Sequence, residues 1–418
     1  MDSSWWKESH PGCRRRSKGS CPRLSTSVQE QLQHFWTLDH LGVTSDQMLE
    51  RDFELEVKNT IQRDESGRYV VSWPRKPQAR KNLALNKALS ETRHRPMVRR
   101  RTSDEYTAYD SQLKTFLEEG HIELVPKDCI PGAYLPHQGV VKMDRETTKL
   151  RIVHDASAKS EGGLSLNDAL EKGPNLLPLL WGILLRFRIG NVGIVGDLEK
   201  AFLQLFLHEE DRNVCCFMWL NPQEEIDVYR YRKVFFGAKS SPFLLQVVPE
   251  QIGDGLPILR SLYMDDQVNS FEKTEKAREF WKEAIRIFKD GGFNLPKFRS
   301  NDEDLLREFA DGQVRQFHKV LGVSWDLKAD ELLLLVDLDD VVPKKPTKRE
   351  VLSCWSKIYD PCGLVSPVVT PLKIIVQDCW KDKNGWDEEL NQDFRRRVEE
   401  VLKGSLVETV LESADGWQ

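Results

Sequence analysis

The run LRSLYMDDQVNSF, residues 259–271, places two adjacent aspartates at the centre of a largely apolar segment. Such a segment can bury its apolar side chains and expose its acids as a β-hairpin with Asp265 and Asp266 at the turn. Adjacent aspartates are also common as simple turn formers, so the pair alone does not define a site. Its meaning depends on which other residues the chain brings to the same place.

A third aspartate ends a second apolar run further upstream. NVGIVGD, residues 191–197, is typical of a buried strand whose last residue, Asp197, emerges at a surface. Two strand ends could then present three carboxylates, the hard oxygen ligands that bind pairs of Mg²⁺ ions about 4 Å apart in nucleotidyl transfer to a primer 3′-hydroxyl. Asp197, Asp265 and Asp266 are therefore the candidate catalytic and metal-binding residues. Two Mg²⁺ ions are the expected cofactor, with Mn²⁺ as an alternative.

Composition describes a globular protein of more than one domain. The chain has 418 residues, 39% hydrophobic and 30% charged, with a net charge of −5. Its most apolar stretch, residues 176–185, is interrupted by Pro178 and Gly182 and is shorter than the roughly 20 residues that cross a bilayer. No secretory signal opens the sequence. We expect no membrane partner, and a location in the cytoplasm, as in a virus-like particle, or in the nucleus.

Two further features of the composition bear on possible sites, the cysteines and a basic run. The eight cysteines form no C-x-x-C pair, which favours reduced, structural thiols over zinc or redox chemistry. Residues 75–101 contain ten Lys or Arg and the single acid Glu91. That run could be ordinary solvated surface, as charge runs usually are, or a surface that follows nucleic-acid phosphates.

Local patterns predict several elements around the aspartates. Thr102 and Glu105 form a capping box that begins a helix ending near Gly120, and Thr347 with Glu350 begin another that runs through Tyr359. The remaining predictions are a hairpin over 139–152, two short helices within 166–187 separated by prolines, apolar extended runs at 202–207 and 228–236, and a helix opened by Ser-Ser-Pro at 240–242.

Eight ordered stretches resemble the reverse transcriptases of Bel/Pao-type LTR retrotransposons. They are LRIVHDASAK (150–159), SLNDALEKGPNLLP (165–178), GDLEKAFLQL (196–205), FFGAKSSPFLL (235–245), YMDD (263–266), GGFNLPKFRSN (291–301), VLGVSWD (320–326) and IYDPCGLVSPV (358–368). The resemblance covers most of residues 30–390. A chance YMDD in an unrelated globular protein would require all of these matches to be coincidence.

The resemblance implies an α+β, right-hand polymerase with fingers, palm and thumb, whose antiparallel palm sheet carries the aspartates. The implied divisions are an unmatched, disordered 1–25, an N-terminal basic extension 26–101, fingers and palm over 102–325, and a thumb- or connection-like helical region over 326–418 that stops before any RNase H portion. Nothing indicates the aspartic protease or integrase of such elements. The implied partners are an RNA or DNA template with its primer and deoxynucleoside triphosphates.

The resemblance also implies roles for other residues. Asp197 and Asp265 would be the principal metal ligands, and Phe202 the bulky residue that screens the sugar 2′ position. The residues implied near the incoming nucleotide are Arg151, Lys149, Lys142, Phe202, Gly237, Ser241, Gln246 and Lys297; those near primer or template are Tyr263, Met264, Leu321 and Gly322. Without the resemblance, Arg151 could be plain surface, Phe202 plain core and Lys297 a solvated helix end. Tyr359 and His208 are interpreted as structural.

One segment departs from the family. Only residues 244–262 separate Phe243 from Tyr263, and they contain Pro249, Gly253, Gly255 and Pro257, all helix breakers. The family has a longer helix there, beneath the nucleotide site, and its shortening could displace Gly237 and Ser241 by more than catalysis tolerates. Two hypotheses follow: an active RNA-directed DNA polymerase, or a catalytically inactive, truncated or host-reused remnant that at most binds nucleic acid.

Overall fold

The computed structural model describes residues 45–79, 83, 86–126, 129–141, 150–160, 162–249, 256–310, 315–334, 346–404 and 410–411. The chain divides into two compact units, residues 1–52 and 53–418, and the contacts reported below lie within the second. The predicted disordered segment 1–25, Lys142 and Lys149 fall outside the described residues.

Helices and short strands alternate irregularly along the chain. The helices are α1 (Ser45–Thr60), α2 (Lys87–Arg99), α3 (Ser103–Glu118), α4 (Leu166–Ala169), α5 (Leu180–Phe187), α6 (Glu209–Arg212), α7 (Ser241–Val247), α8 (Leu256–Leu259), α9 (Thr274–Asp290), α10 (Glu303–Phe309), α11 (Lys348–Ser356), α12 (Ser366–Lys381) and α13 (Gln392–Gly404). No helix among the described residues is long and apolar enough to cross a membrane.

The strands are β1 (Gln62–Arg63), β2 (Tyr69–Val71), β3 (Ile122–Leu124), β4 (His137–Val141), β5 (Leu150–His154), β6 (Val192–Asp197), β7 (Phe206–Leu207), β8 (Cys216–Leu220), β9 (Ile226–Tyr231), β10 (Leu262–Tyr263), β11 (Asp266–Phe271), β12 (Lys297–Ser300), β13 (Phe317–Val320), β14 (Val323–Asp326), β15 (Glu331–Leu333) and β16 (Val410–Leu411). Sheet orders are β1-β2-β7, β3-β9-β8, β4-β5, β10-β11-β6-β12 and β13-β14-β15-β16. Except for β2 with β7, these strands pair antiparallel. The predicted α+β class is confirmed.

The sheet β10-β11-β6-β12, called the aspartate sheet below, has packing partners on both faces, and alternate residues of β6 point toward one face or the other. On one side Gly196 meets α9 so closely that a Cβ would lie 2.1 Å from the ring of Trp281. On the other side Val195 packs with Val268 of β11 and Trp325 of β14. By the same alternation, Asp197 projects on the side of Val195.

Helix α9 owes its place to one apolar stripe. Its buried residues are Ala277, Trp281, Ala284, Ile287 and Phe288, which recur at three- and four-residue intervals and so share one face of the helix. Trp281 contacts Phe298 of β12 with ring centroids 4.7 Å apart. The stripe therefore packs on the face of the aspartate sheet opposite to the one on which Asp197 projects.

Most predictions that rest on local signals are confirmed. Both capping boxes form, at Thr102 with Glu105 and at Thr347 with Glu350, and they begin α3 and α11. Helix α11 ends at Ser356 and not, as predicted, at Tyr359. Helices α4 and α5 are separated by the proline-containing segment 170–179 as predicted, α7 has its proline in the first turn, and β4 pairs with β5.

Three predictions need correction. The turn of the β10–β11 hairpin consists of Met264 and Asp265, whereas Asp266 already pairs with Tyr263 as the first residue of β11. The 202–207 run begins as a 3₁₀ turn, Ala201–Gln204, because Lys200 before it has a left-handed backbone, φ 48°; only Phe206–Leu207 is strand. The run predicted over 228–236 is strand only to Tyr231.

Candidate active site

The three aspartates meet at one end of the aspartate sheet. Asp266 lies directly opposite Asp197 in the register of β11 with β6. Asp265 is joined to the same point by its backbone, since its carbonyl accepts a 2.8 Å hydrogen bond from the amide of Leu198. Met264 has φ 58°, the positive value that a two-residue hairpin turn requires at its first position. Main-chain hydrogen bonds therefore hold the backbones of the three predicted aspartates at one end of the sheet.

A cavity of about 450 Å³ opens at this end of the sheet, a volume in the range of small-ligand sites. Five of the predicted site residues line it: Arg151, Asp197, Phe202, Asp265 and Lys297. Predicted residues outside its lining are Asp266, Gly237, Ser241, Gln246, Tyr263, Met264, Leu321 and Gly322. The structure thus brings together residues from β5, β6, the YMDD turn and β12 that are distant in sequence.

Lys297 forms an ion pair with Asp197. It is the register partner of Asp197 on β12, and its Nζ lies 2.6 Å from Asp197 Oδ2. The side chains of Lys297 and Asp197 are 41% and 30% exposed, so solvent screens the pair. Lys297 therefore sits on a strand within the site, not at the solvated helix end that the sequence left open.

Part of the cavity lining is an aromatic and cationic group, Phe202, Phe236 and Arg151. Phe202, in the 3₁₀ turn, meets Phe236 edge to face with ring centroids 4.7 Å apart. The guanidinium of Arg151 lies over the same Phe236 ring, 5.9 Å from its centroid. A half-buried phenyl group and a guanidinium consequently line the same cavity as the aspartates, and these groups suit a sugar and an anionic group.

Sequence reasoning missed several residues of the lining. Arg299 follows Lys297 by two residues on β12 and also faces the cavity, which the two-residue period of a strand could have indicated. Lys200 lines the cavity as well, and its Nζ contacts both carboxylate oxygens of Glu119 at 2.7 and 2.8 Å. Gln112 and Phe116 come from α3, far away in the chain, and carried no local signal.

The predicted nucleotide-side residues outside the lining are held in tight packing beside it. Gly237 has φ 120°, and a Cβ there would lie 2.1 Å from the carbonyl oxygen of His154. Ser241 is buried and donates to the Phe235 carbonyl at 2.7 Å. Gln246 accepts a 2.8 Å hydrogen bond from the Leu176 amide, and its Nε2 lies 3.7 Å from Met264 Sδ. This group connects α7 to the hairpin β4–β5 and to the YMDD turn.

Behind the cavity lies a row of buried imidazoles, called the histidine stack: His94, His137 and His154, with ring centroids 5.2 and 5.3 Å apart. Burial lowers the pKa of His94 to about 3 and of His137 to about 4, and it holds the pKa of His154 well below its usual value. His154 also contacts the rings of Tyr231 and Phe235, which line the cavity. The cavity wall therefore rests on neutral histidines.

Some basic side chains of the run 75–101 form ion pairs with acidic residues elsewhere in the fold. Arg75 forms an ion pair with Asp211, whose other oxygen accepts a 2.8 Å hydrogen bond from the Trp73 amide. Burial raises the pKa of Asp211, while Arg75 opposes that shift. Arg93 pairs with Asp155 at 2.8 Å. Exposed guanidinium groups remain at the end of α2, at Arg99 and Arg100.

The donor set suits a hard divalent cation. Asp197 and Asp265 offer carboxylate oxygens to the cavity, and Mg²⁺ is usually held by one or two carboxylates together with substrate phosphates and water. Among the described residues, no three His, Cys, Asp or Glu side chains converge closely enough to hold an ion by themselves. Metal binding by all three aspartates stays a prediction.

Comparison with known proteins adds a family and a fold. Residues 347–410 match the family described as Pao retrotransposon-like RNaseH-like domain. The described part of that stretch consists of α11, α12, α13 and the start of β16. No curated protein matches the chain.

Solved structures of the foamy viral protease-reverse transcriptase align with 85% of the chain. The dRH form with double-stranded DNA is 16% identical, with a TM-score of 0.52, and 59% of it is covered. The complex with an RNA/DNA hybrid is 15% identical, with a TM-score of 0.53, and 46% of it is covered. A further complex with double-stranded DNA is 15% identical, with a TM-score of 0.53, and 71% of it is covered. The chain thus spans about half the length of the first two structures.

The fold of the chain resembles that of the foamy viral protease-reverse transcriptase. The family match is more specific: together with the fold it supports a Pao-type retroelement Pol protein, as the ordered motifs indicate.

Proposed function

We propose that this chain is an RNA-directed DNA polymerase that extends a primer 3′-hydroxyl by two-metal nucleotidyl transfer. The observation that carries the proposal is the cavity lined by Asp197 and Asp265 together with Arg151, Phe202 and Lys297. Carboxylates, cationic groups and an aromatic ring around one cavity match the needs of a metal-bound nucleoside triphosphate.

In this proposal the aspartate sheet is the palm, and Asp197 and Asp265 hold Mg²⁺, with Asp266 as an adjoining carboxylate. When bound, Mg²⁺ or Mn²⁺ would lower the charge at the reacting phosphate and activate the primer hydroxyl. In the structure, the negative charge of the Asp197 carboxylate is balanced by the ammonium group of Lys297. Lys297 therefore has to release the carboxylate, and its ammonium is then free to approach the triphosphate.

The nucleotide would occupy the cavity that these acids line. Arg151 is proposed to bind the triphosphate because a guanidinium can donate two parallel hydrogen bonds to phosphate. Phe202 is proposed to exclude the ribose 2′-hydroxyl. Lys149 and Lys142 are proposed to assist Arg151, while the tightly packed Gly237, Ser241 and Gln246 would keep the adjoining wall in register.

Primer and template are the proposed macromolecular partners. The foamy viral structures are complexes with double-stranded DNA and with an RNA/DNA hybrid, which supports nucleic-acid binding by the same fold here. Tyr263 and Met264, at the tip of β10, and the turn Leu321–Gly322 are proposed to contact the primer end. Fingers and palm would extend over 102–325, after the basic extension 26–101, and the thumb-like helices over 326–418.

The test is Mg²⁺-dependent extension of a DNA primer on an RNA template. Asp265→Asn should lower the rate by about 100-fold or more, since a metal ligand contributes several kcal/mol to the transition state. Asp304→Asn is a matched control because Asp304 is an exposed acid that pairs with Arg307 on the surface of α10. Extension by neither the wild type nor the control would refute the polymerase proposal.

A second candidate is a remnant that binds nucleic acid without catalysis. It is favoured by the Lys297–Asp197 ion pair and by the lack of a converged three-carboxylate cluster among the described residues. This candidate predicts salt-dependent binding of a primer–template duplex with no extension in either Mg²⁺ or Mn²⁺.

A further inference from the structure

The turn between β13 and β14 has an unfavourable backbone. Leu321 and Gly322 both have positive φ, 48° and 92°, as a two-residue type I′ turn requires. Glycine adopts this conformation readily, but leucine does not, because its Cβ approaches the carbonyl oxygen. Residues outside the hairpin must therefore hold Leu321 in place.

Tyr359 supplies that contact. Its hydroxyl donates a 2.8 Å hydrogen bond to the carbonyl of Leu321. Its ring occupies the space beside Gly322, where an added Cβ would lie 2.6 Å from the ring edge. The turn is thus bound through both of its residues, although Tyr359 itself is 48% exposed.

Tyr359 is in turn fixed to the C-terminal helices. The carboxylate of Asp360, the next residue, accepts hydrogen bonds from the amides of Leu364 and Val365 at 2.9 and 2.8 Å. Those residues immediately precede α12. The position of Tyr359 therefore follows the start of α12.

The turn that Tyr359 holds packs with the YMDD hairpin, because Leu321 belongs to the apolar cluster against which Tyr263 lies. Burial first, and then the neighbouring Tyr263 and Cys362, raise the pKa of the Tyr359 hydroxyl. Tyr263 packs against the apolar cluster that contains Leu321 and Val268, and it immediately precedes the turn residues Met264 and Asp265. Tyr359 thus holds a turn whose Leu321 packs in the same cluster as Tyr263 of the aspartate sheet.

We propose that Tyr359 is a positioning residue that joins the α12 end of the C-terminal helices to both the Leu321–Gly322 turn and the Tyr263 end of the YMDD hairpin. The inference rests on the proposed polymerase function, in which those two turns flank the primer 3′ end. Tyr359 touches no reacting group. It sets the distance between the primer end and the carboxylates, so that a displacement of α12 reaches the chemical step.

The first test removes one oxygen atom. Tyr359→Phe keeps the ring beside Gly322 and deletes the hydrogen bond to Leu321. We expect the extension rate at saturating nucleotide to fall about fivefold, the equivalent of one such bond, with an unchanged KM for the nucleotide. Tyr106→Phe is the control, because the Tyr106 hydroxyl also donates to a backbone carbonyl, that of Leu220, at 2.9 Å.

Hydrogen exchange gives a second readout that does not need catalysis. In Tyr359→Phe, amides of residues 317–326 and of 262–271 should exchange faster than in the wild type, and Tyr106→Phe should leave both segments unchanged. Unchanged exchange in 262–271 would overturn the proposal, as would wild-type extension by Tyr359→Phe. If the wild type does not extend primers, the polymerase function fails separately, and the exchange of these two segments still decides whether Tyr359 joins the turns.

A double-mutant cycle tests the ring contact. Gly322→Ala should strongly lower the exchange protection of residues 317–326, because its new methyl group meets the Tyr359 ring. Tyr359→Ala opens that space. We therefore expect the fold-loss of exchange protection in residues 317–326 of the double variant to be smaller than the product of the fold-losses in the two single variants. Losses that simply multiply would show that Tyr359 and Gly322 act independently and would overturn the inference.

Discussion

Replacing Lys297 by methionine should make the protein without nucleic acid bind divalent metal more tightly. Lys297 Nζ lies 2.6 Å from Asp197 Oδ2, so a metal ion that uses Asp197 must first displace the ammonium. Methionine keeps most of the length and apolar volume of the lysine stem while it removes the charge. The change therefore removes a competitor and leaves the register of β12 with β6 intact.

The size of the effect follows from the exposure of the pair. Two unit charges about 4 Å apart attract by about 1 kcal/mol in water and about 4 kcal/mol near a protein surface. With 41% and 30% of the two side chains exposed, screening and side-chain entropy reduce the net value to about 1 kcal/mol. About 1 kcal/mol corresponds to roughly a fivefold change in an equilibrium constant, so Lys297→Met should lower the Mn²⁺ dissociation constant about fivefold.

Mn²⁺ binding can be followed by electron paramagnetic resonance or by calorimetry on the free protein. Lys276→Met is the control, because Lys276 pairs with Glu279 at 3.0 Å on the surface of α9. The difference between Lys297→Met and wild type should shrink as ionic strength rises. An Mn²⁺ affinity that is unchanged or weaker in Lys297→Met would refute the view that this lysine competes with metal at Asp197.

Three other substitutions or conditions test the cavity and its support. Phe202→Val should raise the use of ribonucleotides relative to deoxynucleotides by about tenfold or more in kcat/KM; an unchanged ratio would remove Phe202 from the sugar site. Gly237→Ala should lower the free energy of unfolding by about 2–3 kcal/mol, measured in urea, because its Cβ would meet the His154 carbonyl at 2.1 Å; wild-type stability would show that the contact relaxes. The histidines of the histidine stack have pKa values below that of histidine in the unfolded chain. Their neutral forms therefore stabilise the fold fully above about pH 6.5, and this stabilisation is lost as the pH falls toward 4. The loss is about 1.4 kcal/mol per histidine per pH unit. Urea midpoints should therefore fall between pH 7 and 5 in wild type and in His208→Gln, which alters an exposed histidine, and a flat profile would contradict the assignment.

Elements with local signals were predictable from sequence. The capping box at Thr102 and Glu105 forms because its two hydrogen bonds connect residues three apart. The strand ending at Asp197 was evident from an uninterrupted apolar run. The sequence did not indicate that Asp265 lies in the turn and Asp266 in strand β11. That assignment depends on which residue pairs with Tyr263, and the register is set by the neighbouring strand β6.

Relations between distant residues were beyond the sequence. That Lys297 pairs with Asp197 depends on the order of strands in the aspartate sheet. Gln112 reaches the cavity from α3 through tertiary packing, which leaves no periodic trace in the sequence. The contact of Tyr359 could not be predicted for the same reason, because a single tyrosine at the end of a predicted helix carries no signal of what it contacts, and only the fold shows Leu321 as its acceptor.

The central place of β6 has a consequence for insertions and deletions. Its neighbours pair with it on both sides, so Asp197 has Asp266 and Lys297 as register partners at once. A single residue gained or lost within β6 would turn the carboxylate toward α9, where even a methyl group on Gly196 has no room beside Trp281. Copies of this gene that still encode a working cavity should therefore keep the length of 192–197 fixed, while changes of length elsewhere accumulate in the connections between elements.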